Sequence, residues 1–331
     1  MNDTRDFDLS PVTSNIKKYP GIVLKPGVKT LEGSKYAVYG YTFDGIWPVY
    51  NFLNSEPEIN ERIFGSVKNL ESITNEERFA GKPYDEAVKL LVNYHDPKYQ
   101  EFLQISDKID TNSNSIRRIN FKTYHSVAGG VIRPVALATG DPNIFESTRI
   151  EKHYNTITIN VAIGYSGQTS KEQVFNRAVI LTNIIHALEE NGYNVEVNAF
   201  EVSETGNELL KIIVNVKKGY SQVDYQSLYK VFCPVEFLRR VVFRLTECAD
   251  VKNNWSSGYG SVSEKSLVCE LLNLNEADLY FDSPRRMGIY GYSLEEDLEA
   301  AVDYLSLGDK IDVEDAKVKL LRGVQGSKLY D

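Results

Sequence analysis

Cysteine is scarce in this chain. Its 331 residues hold three, Cys233, Cys248 and Cys269. An odd number with no C-x-x-C pair argues against both a disulfide framework and a zinc ribbon. The expected setting is reducing, with the three thiols as small buried hydrophobes. The four histidines, His95, His125, His153 and His186, include no pair at the helical i, i+4 zinc spacing. No uninterrupted apolar run approaches the roughly 20 residues that cross a bilayer, so no membrane is expected. The opening segment MNDTRDFDLS is too acidic and polar for a secretory signal. Phosphate loops, nucleophile elbows and G-x-G-x-x-G turns after a strand are also missing. No general base is paired with a nucleophile, so neither a catalytic residue nor a cofactor is assigned.

Basic charge is in deficit as well. There are 37 basic and 46 acidic side chains, a net charge of -9. That balance disfavours a protein that coats nucleic acid without sequence preference, because such binding needs clustered Lys and Arg. Residues 1–150 carry 18 basic and 19 acidic groups, and residues 151–331 carry 19 and 27. The excess acidity therefore belongs to the second half. It is densest from Leu294 to Asp315, where nine acids face one base, Lys310. Glu295, Glu296 and Glu299 in this run are candidates for contacting a basic partner. Hydrophobic residues at 42% and charged residues at 25% are ordinary for a globular chain and exclude global disorder.

Aromatic residues are plentiful, with 21 tyrosines and 14 phenylalanines. After an expected extended arm over 1–35 comes a cluster of seven between Tyr36 and Phe52. Tyr39, Tyr41, Trp47 and Tyr50 are its interaction candidates, since Tyr and Trp favour interfaces. Base stacking is a weaker reading, because only Lys35 lies among them. Asp44 is placed to cap a short helix through Leu53. Pro83, Asp85 and Glu86 suit the first turn of another. Residues 121–139 are apolar around Gly129-Gly130 and predict a strand or hairpin with a positive φ at one glycine.

The second half has clearer grammar. Ile157, Ile159, Val161 and Ile163 alternate with Thr158, Asn160 and Ala162, the period of a strand. The loop Gly164-Tyr165-Ser166-Gly167-Gln168 follows. Thr169 or Ser170 then caps a helix, with Glu172 or Gln173 completing a capping box. Val174, Ala178, Leu181, Ile185 and Leu188 form its inward stripe. Asn191-Gly192 ends it. Strands over 193–202 and 209–217 predict a hairpin across a loop at 203–208. Two helices follow, the second beginning near Pro234. Ser293-x-x-Glu296 opens another, and a last helix covers about 313–323. Arg285 and Arg286, just before Ser293, could grip a phosphate or carboxylate.

Strand, serine-bearing loop, long helix, hairpin and helix resemble the opening of a von Willebrand factor A domain. That family binds magnesium through D-x-S-x-S after the first strand. Here only Ser166 matches; the acidic anchor is absent and Gln168 replaces the last serine. The resemblance implies a degenerate metal site with Ser166 as its remaining candidate. The order of Phe79-Ala80-Gly81, Tyr84-Asp85-Glu86-Ala87, Val131-Ile132-Arg133-Pro134, Gly140-Asp141-Pro142 and Gly192-Tyr193-Asn194-Val195 is also similar to an uncharacterised phage-encoded family. The expected fold is an open mixed α/β sheet flanked by helices, von Willebrand factor A-like over 151–331. An α+β region over 36–150 and the arm precede it. The expected function is a non-enzymatic protein-interaction or scaffold protein of phage or mobile-element origin. It would act as a virion-associated factor or host modulator in the bacterial cytoplasm or the virion. The expected partner is a viral or host protein, with self-association as a variant. A single-stranded nucleic-acid binder and an enzyme with a scattered site are the alternatives.

Overall fold

The computed structural model describes residues 22–23, 27–64, 70–93, 96–110, 120–127, 130–151, 156–219, 221–252, 263–291 and 293–327. The first part of the expected arm, most of the polar loop at 110–115, the loop at 253–262, His95 and His153 lie outside these residues. The strands are β1 (Ile22–Val23), β2 (Gly27–Leu31), β3 (Ser34–Phe43), β4 (Asn120–Ser126), β5 (Val131–Ile132), β6 (Phe145–Glu151), β7 (Thr156–Ala162), β8 (Asn194–Thr205), β9 (Glu208–Lys217) and β10 (Leu279–Phe281). Helices α1 to α6 are Ile46–Asn54, Glu61–Phe64, Glu71–Thr74, Glu77–Ala80, Tyr84–Leu90 and Pro97–Asp110. Helix α7 is Pro134–Thr139, α8 Lys171–Glu190, α9 Tyr225–Phe232, α10 Phe243–Glu247, α11 Lys265–Leu272, α12 Leu294–Tyr304 and α13 Val313–Ser327.

A mixed α/β sheet organises the chain. Its order is β1-β3-β9-β8-β7-β10, with β2 also on the outer edge of β3. The pairs β7–β8, β7–β10 and β3–β9 are parallel, and β8–β9 is the antiparallel hairpin. Alternation in β7 sends Ile157, Ile159 and Val161 to one core face and Ala162 to the other. The first face packs on α8 through Val174, Ala178, Leu181, Ile185 and Leu188. The second is covered by Leu267, Val268 and Leu271 of α11. Helix α8 starts at Ser170, whose hydroxyl accepts from the Gln173 backbone while the Gln173 side chain accepts from the Ser170 backbone. The alternative cap, Thr169, precedes it.

Several expectations change. Helix α8 is buried well beyond one stripe, including Arg177, Asn183 and His186. It touches α6, α12 and α13 as well as the strands. Residues 27–31 form β2 of a hairpin with β3, so the arm does not extend to residue 35. The α1 cap is Gly45, while Asp44 pairs with Lys218 at 2.8 Å. The hairpin loop shrinks to Gly206-Asn207, since the ladder runs on to Thr205 and Glu208. Gly206 supplies the positive φ of 60° that the tight turn needs. Residues 145–151 form β6, and 134–139, within the expected strand or hairpin, are helical. Strands β4 and β5 do not pair with each other: each pairs with β6. Finally, β3 from the first half lies beside β9 from the second, so the main sheet crosses the expected boundary at residue 150.

Candidate functional site at the strand ends

The order β8-β7-β10 places β7 between β8, the next strand in the chain, and the distant β10. Ligands in open α/β sheets favour the carboxyl ends of strands at such a reversal. Here those ends carry the loop 163–170 after β7 and the segment Asp282–Met287 after β10. The structure brings Ser166 and Arg285 into this one region. Arg285 Nη1 donates to Gln168 Oε1 at 3.0 Å across 117 positions. Ser166 Oγ accepts from the Gln168 backbone at 3.2 Å, the turn role open to any serine before a helix. Arg286 lies 3.8 Å from Asp282 and donates to the Ser263 carbonyl at 3.0 Å.

Beneath the loop is a buried guanidinium that the sequence reading passed over. Arg177 Nη2 donates to the carbonyls of Ala162, Phe281 and Asp282 at 2.7, 3.1 and 2.6 Å. One side chain of α8 thus ties the ends of β7 and β10. Burial pulls its pKa down to about 10, against the opposing pull of Asp282. Arg239 works in parallel. It stacks over Phe79, 4.1 Å from the ring centre, and donates to the carbonyls of Phe79 and Thr169. Its neighbour Arg240 donates to the carbonyls of Lys82, Ser72, Ile73 and Asn75. Both belong to a π-helical turn, Phe237–Val242, which directs two consecutive arginines to different segments. The signal in the sequence was an arginine on an otherwise apolar helical stripe.

The carboxylates near the loop are occupied inwardly. Asp282 accepts from the Tyr304 hydroxyl at 3.0 Å and from the Ser283 backbone at 2.6 Å. Glu201 of β8 is buried, and that burial raises its pKa to about 8, so it holds its proton at neutral pH. A methyl group on Gly164 would stand 2.3 Å from its Oε2, which explains a glycine at that point of the loop. Among the described residues no group of three or more His, Cys, Asp or Glu is placed to hold a metal ion. Chemically, the region offers an exposed guanidinium, an amide and a hydroxyl.

The remaining candidates separate. Tyr39 and Tyr41 are 3% and 1% exposed, so they are core residues and not contact surface. Alternation along β3 points them inward, and Tyr41 donates to the Cys248 carbonyl at 2.5 Å. Trp47 is 62% exposed, with its ring edge-on to half-buried Tyr50 at 5.5 Å. Glu295 and Glu296 are exposed in the first turn of α12, where acids suit the helix dipole. Glu299 pairs with Lys317, which also bridges Glu314. His186, mid-helix, shares a 3.0 Å hydrogen bond with Tyr225.

A surface feature also went unread. The small sheet β4-β6-β5 with α7 exposes Val127, Val131, Ile132, Val135 and Leu137, each more than half accessible. The strand or hairpin expected over 121–139 gives way to helix at 134–139, and these apolar side chains stand exposed. No curated protein and no solved structure is significantly similar to the chain. A family profile, however, matches residues 20–305, spanning the main sheet, the small sheet and the strand-end loops. The chain belongs to the uncharacterised family described as Domain of unknown function (DUF7192).

Proposed function

We propose that the chain is a non-enzymatic protein-interaction protein of phage or mobile-element origin that docks a viral or host protein. The observation that carries this is the concentration of exposed apolar side chains at 127–137. Scattered exposed apolar residues are ordinary, but a local concentration marks a contact surface. The segment 120–151 holds three basic and three acidic residues, so it is net neutral within an acidic chain. The strand edges of β4 and β5 away from β6 offer backbone groups for pairing. The main sheet is read as von Willebrand factor A-like. That reading is supported by β7, the Ser166 loop, α8, the β8–β9 hairpin and α9 in succession. The bacterial cytoplasm remains the proposed location. Burial of Tyr39 and Tyr41 removes two stacking faces from the nucleic-acid alternative.

The test compares wild type with Val131→Asp/Val135→Asp in co-purification from host cells carrying the parent element. Both positions are exposed, so the variant should fold, as circular dichroism will check. The proposal expects a stoichiometric partner held by wild type and lost from the variant. An unchanged set of bound proteins would sink the assignment of the surface.

A further inference from the structure

A second feature stands apart from the strand ends. A narrow cleft opens between α5, α9 and the π-helical turn. Its walls are Leu90, Leu91, Tyr99, Tyr229, Phe237 and Val241. The rings of Tyr99 and Tyr229 meet edge to face, 5.2 Å apart. Two carboxylates, Asp96 and Glu236, also line it. The π turn itself forms one wall, supplying both Phe237 and Val241. Such turns are rare and concentrate at functional sites.

We propose that this cleft binds a primary ammonium group carried on a short unbranched alkyl chain. Three properties select that chemistry. The apolar walls accept the methylene groups of such a chain. The two tyrosine rings attract a cation by their faces. Asp96 supplies the counter-charge: it accepts from the Tyr229 hydroxyl and from the Lys98 backbone at 3.0 Å, and no cation pairs with it among the described residues. Two other charged groups line the cleft, Lys230 and Glu236. Lys230 is partly buried and lies in the field of Asp224. Glu236 accepts from the Lys82 backbone at 3.0 Å and lies in the field of Arg239 and Arg240. The ammonium can come from a lysine side chain of a partner or from a free amine.

Titration of full-length protein with n-butylamine, n-butanol and butyrate at neutral pH tests this, read by leucine and valine methyl shifts at Leu90, Leu91 and Val241. The expected result is saturable shifts with n-butylamine, with butanol and butyrate at least about tenfold weaker. Asp96→Asn should weaken n-butylamine by about tenfold, with unchanged methyl spectra elsewhere reporting an intact fold. Putrescine and Nα-acetyl-lysine amide then separate the sources, and preference for either supports the site. No saturable shift with n-butylamine, or an equal response to n-butanol, overturns it. The comparison of the three probes on wild type decides even if the variant fails to fold. The result is independent of the surface at 127–137, which lies on other elements.

Discussion

Replacing Glu201 with glutamine should stabilise the protein above neutral pH and flatten its pH dependence. Glu201 is 4% exposed, and the Ser203 hydroxyl, 3.4 Å away, is the hydrogen-bond partner opposing its desolvation. Its pKa rises from 4.5 to about 8 on folding, with burial as the cause. The folded state therefore keeps a proton that the unfolded chain has released between those values. Stability must then fall as pH rises from about 4.5 to about 8 and level off above that. The rise converts to about 5 kcal/mol at about 1.4 kcal/mol per tenfold, an upper figure that relaxation and water entry reduce to about 3 kcal/mol. Glutamine keeps the shape and never ionises. With an unfolding entropy near 2.1 cal/mol/K per residue, about 3 kcal/mol raises the melting temperature by about 4 °C. Thermal unfolding of both proteins from pH 5 to pH 9 checks it. The curves should nearly coincide at pH 5 and separate by pH 8. Parallel curves, or a variant less stable at pH 8, would refute the assignment of Glu201 as an uncompensated buried acid.

Three further substitutions follow from geometry. Gly40→Ala places a methyl 1.8 Å from the Lys211 carbonyl oxygen at a φ of 152°; it should destabilise by about 3 kcal/mol or prevent folding, measured by denaturant melts. Arg177→Ala removes the donor shared by three strand-end carbonyls and should cost about 3 kcal/mol, with faster amide exchange around Ala162 and Phe281. Tyr41→Phe leaves the Cys248 carbonyl without that hydroxyl and should cost about 1–2 kcal/mol in the same melts.

What could be read in advance was what local periodicity encodes. The run from β7 to β9 was legible because alternation, a helical stripe, a capping box and a stop signal agree over Thr156–Lys217. Strand β3 was not, because its partner β9 lies about 170 positions away and its alternating aromatics read as a cluster. Arg177, Arg239 and Arg240 escaped for a related reason. A buried guanidinium is stabilised by carbonyls from distant segments, which no local pattern announces. Ser166 and Arg285 were singled out separately, and only the β7–β10 pairing shows that they share one region. The apolar run 127–137 was read only as a strand or hairpin, since hydrophobicity alone does not distinguish a buried strand from an exposed surface.

The central claim is that residues 127–137 form the docking surface. Site-specific photo-crosslinking tests it most directly, with the crosslinker at Val135 and, as control, at exposed Val318. The account predicts one dominant adduct from position 135 and none from 318. Adducts of equal yield and identity from both positions, or none from 135 while a partner still co-purifies, would contradict it.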